Sequence, residues 1–146
     1  HGIDIERGDL MGSFEFNIPD DFEKQLKKLA NVDEVAPKML EAASPIYETY
    51  IKQSIVQSIQ HKDKSTGDLV KSVKMSKVKK MRGGGVCVTA QFKGYDSRHN
   101  ANAVKAAGLE FGNSHQEARP FVARANATSK QEVLDAMQEI FNREVN

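Results

Sequence analysis

With 146 residues and a formal charge of +1, from 21 Lys plus Arg against 20 Asp plus Glu, the chain fits one domain and lacks the charge excess of a dedicated polyanion binder. A single cysteine, Cys87, excludes an intrachain disulfide and any Cys-rich zinc site. No apolar run is long enough to span a membrane, the start has no charged-then-apolar leader pattern, and three Tyr, seven Phe and no Trp are sparse for a base-stacking surface.

Residues 1–10 show neither helical nor strand periodicity. A His ahead of a Gly resembles the stub of an affinity tag with its linker, so the expectation is a single domain over residues 11–146. Without Arg7 and the acids Asp4, Glu6 and Asp9, that domain holds 20 bases and 17 acids, a net of +3.

Phe14 to Ile18 alternates apolar and polar, the period of a half-buried strand. Pro19-Asp20-Asp21 then opens a short helix to about Ala30, with Phe22, Leu26 and Leu29 on one face. Asp33 is a candidate N-cap for a longer helix. Its stripe runs through Val35, Met39, Ala42, Ala43, Ile46, Tyr50, Ile55 and Ile59 and ends near His61. Pro37 falls near its first turn, and Pro45 predicts a kink rather than a break, because the stripe keeps its phase across it.

Residues 62–67 have turn composition, and residues 68–72 fit one helical turn capped by Thr66 or Asp68. From Ser72 the period becomes strand-like. Arg82-Gly83-Gly84-Gly85 signals a turn, and Val86, Val88, Ala90 and Phe92 alternate with Cys87, Thr89 and Gln91 beyond it, which reads as a β-hairpin. Residues 93–102 read as an exposed, mobile loop and residues 103–107 as a short helix leading to Gly108. A last helix starts either at Pro120 or at the capping-box spacing of Ser129 and Glu132, with Val133, Met137, Ile140 and Phe141 on its apolar face. The expected fold is α+β: a small antiparallel sheet with a β-hairpin, packed against a long kinked helix and a C-terminal helix.

The strongest charge feature is Lys71, Lys74, Lys77, Lys79, Lys80 and Arg82, with no acid among them. On a hairpin they form a projecting basic arm for phosphate or an acidic protein, or else a solvated strand face that deters edge-to-edge aggregation. His61, His99 and His115 have no metal-ligand spacing, and Cys87 lies on a strand rather than at a helix start that would activate it. The triple glycine lacks the Lys-Ser/Thr of a phosphate-binding loop. Neither a catalytic motif nor a cofactor or metal motif is present. In Glu110-Phe111-Gly112, a polar loop and Arg119-Pro120-Phe121, Gly112 suits a positive φ, the two Phe suit mutual packing, and Glu110 and Arg119 suit an ion pair.

This junction resembles the signature of the tail-completion, or head-to-tail joining, proteins of long-tailed double-stranded DNA phages and prophages. In that family a Glu-Phe-Gly segment precedes a polar loop and an Arg-Pro-Phe segment opens the last helix, with Ala118 and Ala125 also fitting here. A second feature, Thr-Gly-x-Leu-x-x-Ser after the long helix, is matched by Thr66, Gly67, Leu69 and Ser72. Ser65 replaces a frequent Pro, and Asn113 replaces the usual Thr after Phe-Gly. The resemblance implies a non-enzymatic structural component of the virion neck or tail, assembled in the bacterial cytoplasm as a ring, commonly of six identical subunits, among other neck and tail proteins. DNA would pass without specific binding, and no membrane or cofactor is involved. The alternative is a small nucleic-acid-binding module that uses the hairpin from Lys71 to Arg82.

Overall fold

The computed structural model describes residues 3–5, 13–29, 32–58, 66–82, 84–112, 114 and 117–145. Ala30, Ile59, His61, the turn at residues 62–65, Gly83, Asn113 and His115 lie outside the described residues. In chain order come β1 (Ile3–Ile5), β2 (Phe14–Asn17), α1 (Asp20–Lys28), α2 (Val32–Ser58), α3 (Thr66–Ser72), β3 (Val73–Met75), β4 (Lys79–Lys80), β5 (Val86–Phe92), α4 (Asn102–Phe111) and α5 (Phe121–Val145). The architecture is α+β, with the long helix, the C-terminal helix and the hairpin in the expected order.

The sheet is antiparallel, in the order β1-β2-β5-β3, with β4 continuing beside β3 along the same side of β5. Residues 3–5 pair with Phe14–Phe16, so part of the presumed tag remnant forms an edge strand. Phe14 and Phe16 turn inward from β2 while Glu15 and Asn17 are only half-buried, the expected alternation. On β5 the alternation fails. Cys87 and Thr89 are buried along with Val88 and Ala90, so both faces of this inner strand are covered at its centre.

The hairpin contains one irregularity. Met75 faces Ala90 and Lys79 faces Cys87, so three residues (76–78) oppose two (88–89), which defines a β-bulge. Ser76 secures it: its N–H donates to the Thr89 carbonyl at 2.8 Å, and its hydroxyl accepts from the Thr89 N–H at 2.9 Å. At the turn, Gly84 and Gly85 have φ of +98° and +84°, which favours glycine at both positions.

Four helix expectations change. Asp33 lies inside the first turn of α2, which already begins at Val32. The buried stripe of α2 runs through Ala36, Leu40, Tyr47, Ile51 and Ser58 as well as Val35, Met39, Ala43 and Ile55, while Ala42, Ile46 and Tyr50 form its shoulder. α4 continues through Gly108 to Phe111. Ser129 is fully buried inside α5, so the capping-box spacing there is incidental and Pro120 marks the true start. α2 runs unbroken through Pro37 and Pro45, so neither proline splits it. It packs along α5, and both cover the sheet around Phe14, Phe16, Met39, Phe121 and Met137.

Residues 93–102 are mostly exposed, as expected, but the loop is tied to the body by hydrogen bonds that the sequence does not announce. Asp96 is only 7% exposed, and its Oδ1 accepts the N–H groups of Arg98 and Asn100, both at 2.9 Å. Its Oδ2 meets Lys105 Nζ of α4 at 3.0 Å. Asn102 closes the loop through its N–H to the Gly94 carbonyl and its side-chain amide to the Lys93 carbonyl, each at 3.0 Å. Hydrogen bonds to ionised carboxylates are the stronger kind, so a single aspartate organises the segment.

Candidate functional site

Glu110-Phe111-Gly112 and Arg119-Pro120-Phe121 converge on one joint between α4, α5 and the end of α2. Gly112 ends α4 with φ +78° and ψ 169°, a conformation essentially restricted to glycine, and its N–H donates to the Gly108 carbonyl at 2.8 Å. The Arg119 N–H donates to the Leu109 carbonyl at 2.6 Å, which brings the returning chain back onto the end of α4. Pro120 then precedes the first turn of α5, where a missing N–H costs nothing.

The ion pair expected between Glu110 and Arg119 does not form. Glu110 is 3% exposed and accepts the N–H groups of Val122 at 2.6 Å and Ala123 at 3.3 Å, so it caps the start of α5 from a neighbouring helix. Burial pushes its carboxyl above the usual range, although these two hydrogen bonds and the Arg124 guanidinium pull it back. Arg119 instead donates from Nη1 to the Ser58 carbonyl at 3.1 Å, and Arg124 donates to the Ser58 hydroxyl at 2.9 Å. The two guanidiniums therefore satisfy the last turn of α2, where its dipole is negative. Ser54 adds a buried bond from its hydroxyl to the Phe121 carbonyl at 2.7 Å.

Both phenylalanines pack on Phe14, with ring centroids 6.2 Å away for Phe111 and 6.4 Å for Phe121. Phe92 completes the cluster at 5.7 Å from Phe121, edge to face. The second motif is also structural. Thr66 opens α3, Gly67 is exposed, Leu69 is buried, and the buried Ser72 hydroxyl donates to the Leu69 carbonyl at 2.7 Å. The Ser72 carbonyl then accepts from Lys93 N–H, which joins α3 to the end of β5.

Lys71, Lys74, Lys77, Lys79, Lys80 and Arg82 are all exposed, and among the described residues none joins an ion pair. They do not sit on a free arm. β5 is an inner strand of the sheet, and Met81, Gly85 and Val86 at the hairpin tip share a cleft with Asp20 and Glu23 of α1 and Val32 of α2. Lys77, Lys79 and Lys80 border an open groove whose opposite wall carries Asp33 and Glu41 of α2. The basic residues thus form a charged rim on the body.

Cys87 is buried on β5, where burial and the Glu15 carboxylate push its thiol up, the reverse of an activated nucleophile. Among the described residues no His, Cys, Asp and Glu are grouped to hold a metal ion, and no helix is long and apolar enough to cross a membrane. Neither the role of Asp96 nor the Ser58–Arg124 contact follows from apolar periodicity or motif spacing. Only the Asx-turn composition of Asp96-Ser97-Arg98 hinted at the first. No family model, no curated protein and no solved structure matches the chain.

Proposed function

We propose that the chain is a structural protein of a tailed phage or prophage, joining head and tail or completing the tail as a ring of identical subunits. One observation carries this reading: the two halves of the Glu-Phe-Gly and Arg-Pro-Phe signature, which gave the resemblance, meet in a single joint. Every charged member of that joint is engaged in holding helices together, which suits a scaffold more than a reactive centre. The exposed basic rim beside α2 then offers the contact to a neighbouring subunit or an acidic tail surface.

Negative-stain imaging and light scattering of the concentrated full chain, with β1 in place, test the reading. Closed rings are expected, and reversing Lys77, Lys79 and Lys80 to Glu abolishes them while circular dichroism stays unchanged. Salt-dependent DNA affinity that disappears in the same triple variant, with no ring formed at any concentration, replaces this reading with the nucleic-acid-binding module.

A further inference from the structure

Two backbone irregularities face each other across the groove between α2 and the hairpin. Proline has no N–H, so Pro37 and Pro45 leave the carbonyls of Asp33 and Glu41 without their donors four residues on. Asp33, Pro37 and Glu41, one helix face at i+4 spacing, line the groove, which encloses about 600 Å³. Opposite them lie Ser76, Lys77 and Val78, the residues of the β-bulge. Bulges re-aim side chains and recur beside functional sites. Ser44 also lines the groove, and its hydroxyl oxygen is buried with no hydrogen-bond partner among the described residues. A buried hydroxyl ordinarily has one.

The two walls differ in kind. Asp33 and Glu41 present acceptors only, carboxylates and freed carbonyls, whereas the side chains of Lys77, Lys79 and Lys80 present donors only. Among the described residues no ion pair crosses the groove. Pro37, Val78 and Val86 supply its apolar surface. Asp33 and Glu41 lie about 12 Å apart along α2, the length of about four extended residues. Side chains of an extended segment alternate in direction, so the groove suits one with cations on one side and an anion on the other.

Lys62-Asp63-Lys64, between α2 and α3 and outside the described residues, has that order of charges. It cannot reach the groove of its own chain. Pro37 lies about 31 Å back along α2 from Ser58, and the five residues from Ser58 to Asp63 span at most about 17 Å. We propose that the groove of one copy receives Lys62-Asp63-Lys64 of a second copy in extended form, an inference that rests on the ring reading above. The two ammoniums, with three donors each, meet the carboxylates and freed carbonyls of Asp33 and Glu41. Asp63 meets the lysine wall, and the aliphatic stems of the incoming lysines cover Pro37 and Val86. The Ser44 hydroxyl donates to a backbone carbonyl of the segment. The groove borders the first half of α2 and the segment follows its other end, so the contact is head to tail, the kind that closes rings.

Titrating the isotope-labelled full chain with acetyl-Lys-Asp-Lys-amide, read by amide chemical shifts, tests the site. Saturable shifts are expected at Glu41, Ser44 and Val78, with acetyl-Glu-Asp-Glu-amide binding about tenfold more weakly. Ser44→Ala should weaken binding several-fold while the melting temperature holds or rises, since an unpartnered buried hydroxyl is removed. Light scattering tests the partner. Lys62→Glu/Lys64→Glu and Asp33→Asn/Glu41→Lys should each abolish self-association, and mixing the two variants one to one should restore it. In that mixture the acidic segment of one variant meets the basic groove of the other, and the unaltered segment meets the unaltered groove. Absence of saturable shifts, equal or tighter binding of acetyl-Glu-Asp-Glu-amide, or a mixture that stays unassociated overturns the proposal. Rings that persist in Lys62→Glu/Lys64→Glu overturn it and leave the ring reading standing, whereas a parent chain that never self-associates overturns both.

Discussion

Asp96, just ahead of α4, and Glu110, near its far end, are both almost fully buried, and each accepts two backbone N–H groups beside a cation. Their carboxyls nevertheless shift in opposite directions. The Asn100 N–H, the Lys105 ammonium and the Arg98 N–H outweigh burial at Asp96 and lower it from 3.8 to about 2. At Glu110 burial is the largest influence, the Ala123 bond is long, and Arg124 is occupied with Ser58, so the carboxyl moves up. A close ion pair and two short bonds stabilise ionisation, whereas one good bond in an apolar joint does not. One carboxylate organises a loop and the other marks a helix junction under electrostatic tension.

The largest expected effect lies at the second of these regions. Phe121 is fully buried among aromatic rings, so Phe121→Ala should cost about 3–5 kcal/mol in urea unfolding. Gly112→Val should cost about 1–3 kcal/mol by forcing a β-branched residue into a glycine conformation, and an unchanged melting temperature would show that the joint relaxes.

Glu110→Ala should cost about 1–3 kcal/mol, because it leaves two N–H groups of α5 without an acceptor. Glu110→Gln sharpens the contrast. A raised folded-state pKa means that the contribution of Glu110 is complete below its unfolded value and is lost as pH rises through the folded one. The parent's stability should therefore decline above about pH 4.5 by a component that the Gln variant lacks. Asp96 runs the other way: its contribution is complete above its unfolded value and disappears as pH falls toward about 2. Asp96→Asn should remove that acid-range slope and speed amide exchange at Arg98 and Asn100, with the rest of the chain unaffected. Smallest of all, the triple reversal of Lys77, Lys79 and Lys80 should shift folding stability by no more than about 0.5 kcal/mol, since all three are exposed and have no ion-pair partner among the described residues.

Legibility followed the same division. Period-2 alternation and the glycine turn placed the hairpin, and the Phe22–Leu26 spacing placed α1, because burial of apolar faces dominates there. Leu29 fits the same period yet is exposed as the C-cap, a position that periodicity does not register. On α2 the apolar stripe finds Val35, Met39, Ala43 and Ile55 of the buried face but misses Ser54 and Ser58, polar residues buried through bonds to distant partners. Glu110 and Arg119 looked like a pair because opposite charges at a junction attract. The structure shows another solution: Glu110 accepts N–H groups at the start of α5, and Arg119 donates to the last carbonyl of α2, groups that a helix leaves unpaired at its ends. Asp96 was overlooked because a polar loop gives no apolar signal, even when one side chain organises it.

The bulge at residues 76–78 has a consequence for crowding. Lateral growth of a sheet requires an uninterrupted row of outward N–H and C=O groups, and here the outer row is broken by the inserted residue and then bordered by Lys79 and Lys80. Copies brought to high local density are thereby discouraged from knitting into fibrils along that margin, and any orderly association there must come from side chains meeting rather than backbones zipping.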